Sequence, residues 1–206
     1  MTKKKKIYDT LVDRDKKVID LLENVKVATR EQIQRVVYPN VSQNIPIRKL
    51  TMLTENKLVK RDYFNLGGHN NVYVYYLNKK PSKRNILHEI TITDFITRVM
   101  SICKVIEVYT SYKTGSIISD CYIRYQDSEG KIRHLVAEIQ LSNKVYEGCV
   151  EKYKKFKNEI LEHRKEFNTI PRLIVITDLE HDNEQIKGMK VKYDTLQMNN
   201  LRELLF

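Results

Sequence analysis

The chain has 206 residues, of which 41% are hydrophobic and 31% charged, and its formal net charge at pH 7 is +11. This composition is typical of a globular protein with one large or two small domains, and it excludes a disordered or low-complexity chain. The sequence contains neither a run of about 18 apolar residues nor an apolar segment after the N-terminal lysines. We therefore expect a cytoplasmic protein without a membrane span or secretory signal.

The positive charge is concentrated in one part of the chain. Residues 1–84 hold 19 Lys and Arg against 8 Asp and Glu, a net of +11, whereas residues 85–206 hold 18 of each, a net of 0. Such a concentration is typical of a nucleic-acid-binding surface, although a solvated basic face would have the same charge. The polar segment KKPSKRN marks a linker. We predict a basic domain of residues 1–84 and a second domain of residues 85–206.

Local signals predict the first two helices of the basic domain. Apolar residues at i, i+3 and i+4 predict one helix over residues 14–23. Thr29 with Gln32 fits a capping box that begins the second helix, and Pro39 ends it.

A third helix followed by a hairpin organises this domain. We expect Ser42 or Asn44 to cap the helix and Asn56 to end it in the left-handed conformation. The β-rich segments LVKRDYF and VYVYYL flank turn-forming residues at 67–71 and predict a hairpin. Three helices and a hairpin in about 65 residues predict an N-terminal winged helix-turn-helix domain with the hairpin as its wing.

In such a domain the third helix enters the major groove of double-stranded DNA. We predict that this helix contacts base edges and phosphates through Arg48, Lys49, Thr51 and Met52. The backbone or minor groove would be contacted by Lys60, Arg61 and His69. This binding requires no cofactor, and a homodimer would recognise two half-sites at once.

The second domain combines helices with β-rich segments. Ile86 to Ile102 predicts a long helix, three β-rich segments follow between Val105 and Leu141, a charged amphipathic helix spans 144–167, and a buried strand spans 172–177. The order is αβββαβ, so the fold class is α/β (α+β). The three cysteines show no CxxC spacing, which predicts buried, reduced thiols.

Asp120, on the second of these strands, and Glu138 and Gln140, on the third, form a candidate site. Residues two apart on a strand share a face, and Asp120 on the hairpin partner can lie beside them. Two convergent carboxylates suit Mg²⁺, which positions and activates water for attack on a phosphodiester.

The order αβββαβ with these three residues resembles the PD-(D/E)xK nuclease superfamily, the restriction-endonuclease-like fold. The resemblance implies that Asp120 and Glu138 bind a metal and that the third position of the motif acts in catalysis. That position is usually Lys, which stabilises developing negative charge, whereas here it is Gln140. Lys152 or Lys113 would then supply the positive charge.

The whole chain resembles the replication-relaxation family of Gram-positive plasmids and other mobile elements. The resemblance covers most of residues 14–177 and rests on RDKKVIDLLENVKVATREQIQRVVYP, IRKLTMLTENKLVKRD, VYVYYL, SDCYIRY, HLVAEIQLS and EKYKKF. It implies a DNA-binding protein of a plasmid, phage or other mobile element that acts in replication or mobilisation with other proteins of that element. The scattered histidines form no His-hydrophobe-His triad, so a tyrosine relaxase is not expected.

Three functions follow from these patterns. We favour a double-stranded-DNA-binding protein whose nuclease-like domain is not catalytic, because Gln140 lacks the usual positive charge. The first alternative is a Mg²⁺-dependent DNA nuclease or nickase that the winged helix targets. The second is a dimeric transcriptional regulator.

Overall fold

The computed structural model describes residues 10–66, 71–141, 152–159, 169–179 and 185–206. These ranges form six helices and two β-sheets, so the predicted mixture of α and β structure is confirmed. The chain divides into two compact units, Met1–Ser101 and Ile102–Phe206. Within the described ranges, none of the helices combines the length and the apolar character needed to cross a membrane.

The first unit combines helices with a three-stranded antiparallel sheet. Its elements are α1 (Asp13–Val25), β1 (Val27–Thr29), α2 (Arg30–Val37), α3 (Asn44–Glu55), β2 (Lys60–Asn65), β3 (Asn71–Tyr76) and α4 (Ile86–Ile102). Strands β1 and β2 both pair with β3, so the strand order is β1-β3-β2. The three predicted helices and both strands of the predicted hairpin are present.

Helix α2 begins at the predicted capping box. The Thr29 hydroxyl accepts a hydrogen bond from the Gln32 amide at 3.3 Å, and the Gln32 side chain accepts one from the Thr29 amide at 2.9 Å. These bonds satisfy two amides that have no partner within the helix. The helix ends at Val37, two residues before Pro39, as predicted.

The residues that cap helix α3 differ from the prediction. Its N-cap is Gln43, without a side-chain hydrogen bond, rather than Ser42 or Asn44. Asn56 has a φ of −78°, and Lys57 takes the left-handed conformation with a φ of 57°. The helix therefore ends where predicted, but the predictions of its N-cap residue and of Asn56 as the left-handed residue are wrong. Asn56 keeps a right-handed backbone while its side-chain amide donates to a carbonyl of the last helical turn at 2.9 Å.

Helix α4 packs against the sheet of the first unit. The Thr93 hydroxyl donates to the Val27 carbonyl at 2.7 Å. Ile86 and Ile90 of α4 form a buried cluster with Val27, Phe64, Val74 and Tyr76 of the sheet. Burying an aliphatic side chain such as Ile86 stabilises a fold by about 1.5–3 kcal/mol. The division between the two units accordingly falls after Ser101, whereas the polar linker placed it after Arg84.

The second unit is built on a five-stranded mixed sheet. Its elements are β4 (Lys104–Thr114), β5 (Ile117–Gln126), β6 (Ile132–Gln140), α5 (residues 152–159), β7 (Arg172–Thr177), β8 (Val191–Asp194) and α6 (Leu201–Leu205). The strand order is β4-β5-β6-β7-β8. The pairs β4-β5 and β5-β6 are antiparallel, and β6-β7 and β7-β8 are parallel. The four strands predicted between residues 105 and 177 are all present.

Helix α5 covers one face of this sheet. Tyr153 and Phe156 are fully buried in a cluster with side chains of β5, β6, β7 and β8. The helix predicted over 144–167 falls within the described residues only at 152–159, and these residues are helical. Cys103 and Cys121 are buried free thiols, as predicted, while Cys149 lies outside the described residues.

Candidate functional site

The outward side of α3 displays one of the two predicted basic residues. Leu50 and Leu53 are fully buried and set the rotation of the helix. Arg48 is exposed, and Thr51 and Met52 are half-buried. Because residues three and four apart are neighbours on a helix surface, these three side chains form one patch.

Lys49 has a different environment from Arg48. Its ammonium lies 2.7 Å from Oδ2 of Asp15, a carboxylate that is only 2% exposed. The Tyr38 hydroxyl donates to Oδ1 of the same carboxylate at 2.8 Å. Burial and this hydrogen bond raise the pKa of Tyr38. Lys49 therefore neutralises a buried charge and joins α3 to α1.

The hairpin supplies the second group of predicted contacts. Lys60 is exposed, and its ammonium donates to the Asn78 carbonyl at 2.6 Å. The Arg61 guanidinium lies over the Tyr73 ring, 4.6 Å from its centroid. His69 lies outside the described residues. Both described cations of this group thus project from β2.

A cleft of about 330 Å³ separates α3 from the hairpin. Ile47 and Thr51 line it on the side of α3, and Arg61, Tyr73 and Tyr75 line it on the side of the hairpin. Arg30 and Glu31, at the start of α2, line it as well. The cleft therefore brings together a predicted residue of the third helix and one of the hairpin.

Two exposed tyrosines on the hairpin were not among the predicted site residues. Tyr63 and Tyr73 are 57% and 49% exposed, although tyrosine commonly packs well in strands. The alternation of side chains along a strand could have predicted their exposure. Phe64 and Val74 point into the core, so their neighbours in sequence, Tyr63 and Tyr73, point outward.

The predicted carboxylates lie on neighbouring strands of the second unit. Cys121 on β5 pairs with Ala137 on β6, so the adjacent Asp120 and Glu138 are close together. Oδ2 of Asp120 accepts a hydrogen bond from the Ile139 amide at 2.8 Å. This bond orients Asp120 toward β6 at the end of the antiparallel ladder.

Glu138 is buried and has two strong donors from α5. The Lys152 ammonium lies 2.6 Å from Oε1, and the Tyr153 hydroxyl donates to the same oxygen at 2.5 Å. Burial and the charge of Asp120 raise the pKa of Glu138, while Lys152 opposes that shift. Lys152 rather than the exposed Lys113 therefore supplies a positive charge beside Glu138. Tyr153 was not among the predicted site residues, because its position in an amphipathic helix did not indicate a function.

Gln140 is the third predicted residue on this face. It is 4% exposed, and neither atom of its carboxamide has a hydrogen-bond partner among the described residues. Leaving both polar atoms of a buried amide unpaired costs free energy, since each has lost its hydrogen bonds to water. The amide is therefore available to a ligand, a water molecule or a metal ion.

The donor set suits Mg²⁺ only in part. Two carboxylates and a carboxamide oxygen are hard ligands of the kind this ion prefers. The described residues contain no cluster of three His, Cys, Asp or Glu that could hold a metal, and Glu138 already has Lys152 as its counter-ion. A bound metal ion would displace the Lys152 ammonium from Glu138 or bind the carboxylate together with it.

No known protein family, curated protein or solved structure matches this chain. The geometry of the two candidate sites is therefore the basis for assigning a function.

Proposed function

We propose that the protein binds double-stranded DNA through its first unit, which has the element order of a winged helix. The supporting observation is the cleft between α3 and the hairpin, where Thr51 faces Arg61. This cleft lies in the part of the chain that carries the whole excess of positive charge. Arg61 lines this cleft, and Arg30 lines it paired with Glu31. A cationic surface beside a helix and a β-hairpin suits the phosphate backbone of a duplex.

In this proposal α3 enters the major groove. Arg48 contacts base edges or phosphates there, and Thr51 and Met52 pack against bases beside it. Lys60 and Arg61 contact the backbone, so they add affinity without sequence preference. Lys49 acts indirectly, because it holds α3 against α1.

The resemblance to the replication-relaxation family suggests the biological setting. We propose that the protein acts in replication or mobilisation of a plasmid, phage or other mobile element, together with proteins of that element. Its second unit would have the nuclease-like fold without catalysis, and a homodimer would recognise paired half-sites.

Replacing Arg48 by alanine tests the DNA-binding proposal. We expect Arg48→Ala to weaken specific duplex binding by about 1–3 kcal/mol if it contacts a base. If it contacts a phosphate, the slope of log K against log salt should become shallower by about 1. Fluorescence anisotropy over a salt series measures both quantities. Arg48 is exposed, so the fold should persist.

Lys113→Ala is the matched control, because it removes an exposed cation from the nearly neutral second unit. It should leave the affinity and the salt slope unchanged. Equal affinity of wild type and Arg48→Ala at every salt concentration would refute the proposed role of α3.

A second candidate function is a Mg²⁺-dependent DNA nuclease or nickase. The observation in its favour is the grouping of Asp120, Glu138 and Gln140 with Lys152, whose ammonium is 2.6 Å from Glu138. The third position of the motif is usually Lys and is Gln140 here. Lys152 would supply the positive charge that this lysine usually provides. Its charge would stabilise negative charge that develops on a phosphate.

In that function Mg²⁺ would be held by Asp120 and Glu138, with the Gln140 carboxamide as a further oxygen donor. The ion would supply Lewis-acid stabilisation and a bound water of lowered pKa. The protein's own part would be to exclude bulk water from a buried carboxylate and to hold Lys152 beside it through α5.

Nicking of supercoiled plasmid separates the two functions. If the site is catalytic, nicking requires Mg²⁺ or Mn²⁺, stops in EDTA and is lost in Glu138→Gln, while duplex binding persists. Lys152→Met should lower the rate by about 10²-fold or more if its charge acts in the transition state. Binding without nicking in either metal would refute the enzyme and leave the second unit as a scaffold.

A further inference from the structure

Arg61, Tyr63 and Tyr73 form a contiguous cluster on the outward face of the hairpin, here called the aromatic stack. Tyr63 and Tyr73 are directly cross-strand neighbours. Their ring centroids are 5.1 Å apart with an interplanar angle of 54°, and the Arg61 guanidinium lies 4.6 Å from the centroid of Tyr73. The three side chains therefore hold one another in place.

The aromatic stack is not needed for the core of the first unit. Phe64 and Val74, on the opposite face of the hairpin, make the contacts with α4. The tyrosines remain half exposed even though both rings are already oriented. A preoriented aromatic ring loses little conformational entropy when it binds a flat partner. The surface is thus built for contact rather than for stability.

The surroundings of the aromatic stack define the chemistry of that partner. Tyr73 lines the cleft, and Ile47, 42% exposed, lies across it on α3. Arg61 adds positive charge to this lining, in which Arg30 is paired with Glu31, so the lining keeps a net positive charge. The cleft volume of about 330 Å³ is at the lower end of the range of about 300–1,000 Å³ for small-molecule sites. A planar, anionic partner the size of a nucleotide fits these properties.

We infer that the aromatic stack binds unpaired DNA bases next to the duplex held by α3. This inference rests on the proposed DNA binding and specifies the substrate as duplex with a single-stranded arm. Bases within a duplex cover one another's faces, so exposed tyrosine rings find no base face there. An unpaired base offers its face, and stacking on an aromatic ring tolerates any sequence.

Three labelled probes test the inference with the full chain: a blunt duplex, the same duplex with an unpaired arm, and the arm strand alone. Wild type should bind the armed duplex more tightly than the blunt one. Tyr73→Ala should weaken binding of the armed duplex by about tenfold, the size of one lost stacking contact. It should weaken binding of the blunt duplex by a smaller factor, because Tyr73 also lines the cleft, so the preference for the armed duplex should fall. Tyr63→Ala should act in the same direction.

Two matched variants show whether stacking is the cause. Tyr73→Phe keeps the ring and should keep the preference for the armed duplex. Tyr109→Ala removes a tyrosine of similar exposure, 51%, from the second unit and should have no effect. Thermal unfolding followed by circular dichroism verifies that each variant is folded.

A base analogue gives a direct signal of stacking. 2-Aminopurine at the first unpaired position should lose fluorescence when wild type or Tyr73→Phe binds. It should keep its fluorescence when saturating Tyr73→Ala binds. A role of Tyr73 in folding alone would not produce this difference.

The outcomes separate this inference from the proposed function. If wild type binds armed and blunt duplexes equally, or if Tyr73→Ala weakens both equally, the inference is overturned while duplex binding stands. Failure to bind any probe would overturn both. A change of oligomeric state in Tyr63→Ala and Tyr73→Ala, with DNA preference intact, would identify the aromatic stack as a protein contact and also overturn the inference.

Discussion

At the scale of single residues, Lys49 has a structural role that its position in the sequence does not indicate. It follows Arg48 on α3, and both are basic residues near the polar side of the helix. Only in the folded unit does the Asp15 carboxylate, 2% exposed, come within 2.7 Å of the Lys49 ammonium. An unpaired buried carboxylate is far more costly than an exposed one. The pair is therefore a requirement of stability.

Lys49→Met should destabilise the protein by about 3–5 kcal/mol, because it leaves Asp15 buried without its counter-ion. Urea unfolding followed by circular dichroism measures the change. The matched control, Arg48→Met, replaces the exposed neighbour and should change stability by less than about 0.5 kcal/mol.

A double variant tests the cause of that loss. Asp15→Asn with Lys49→Met removes both charges, so its destabilisation should be smaller than the sum of the two single changes. Additive losses would contradict a direct interaction between the two residues.

At the scale of elements, α4 is attached to α2 by charged hydrogen bonds as well as by apolar contacts. Arg35 donates to Oδ1 of Asp94 and to the Thr97 hydroxyl, each at 2.7 Å. Arg98, one turn further along α4, donates to Oδ2 of Asp94 at 2.7 Å. Burial alone would raise the pKa of Asp94, but the bonds from Arg98 and Arg35 outweigh it and lower the pKa.

This lowered pKa predicts the pH dependence of stability. The folded-state pKa of Asp94 lies below its ordinary value of 3.8. Its stabilisation is therefore complete above that value and is lost as the pH falls through the folded-state pKa. Asp94→Asn should cost about 2 kcal/mol at neutral pH, with a smaller loss well below pH 3.8.

Urea unfolding of wild type and Asp94→Asn at neutral pH and at a pH well below 3.8 checks this prediction. A loss of the same size at both would show that the charge of Asp94 is not the source of its stabilisation. Arg35→Met should weaken the same attachment from the side of α2.

At the scale of the whole molecule, the division into units depends on which contacts α4 makes. The polar residues around Pro81 have the composition of a linker, yet Ile86 and Ile90 pack into the cluster with Phe64 and Val74. A loop with linker composition separates domains only when few contacts cross it. The first unit therefore continues to Ser101.

Two fragments test this division. A fragment of residues 1–101 should be more stable to urea than one of residues 1–84, because the shorter fragment lacks Ile86 and Ile90. The loss of two buried aliphatic side chains amounts to about 3–6 kcal/mol. Equal stability of the fragments would place the division at the linker. DNA binding by the longer fragment would also show that the first unit is sufficient for it.

Much of the local structure follows from sequence alone, because its causes are local. The capping box of Thr29 and Gln32 involves residues three apart, and the alternation around Phe64 is a property of any half-buried strand. The end of α3 was predicted correctly, but Asn56 was expected to take the left-handed conformation that Lys57 takes. The Asn56 side chain instead bonds back to the helix, and residue preferences do not include such a bond. The contacts of Lys49 and α4 involve residues far apart in the chain.

The sequence by itself determined most of the helices and strands, the concentration of charge in residues 1–84 and the candidate carboxylates, but not the short strand β1. These depend on periodicity, turn chemistry and composition. Only the tertiary structure decided that Lys152 and Tyr153 bond to Glu138 and that Gln140 is buried without a described partner. Such contacts and burial join side chains from different strands and helices. They depend on distances that arise only on folding, because the residues are far apart in the sequence.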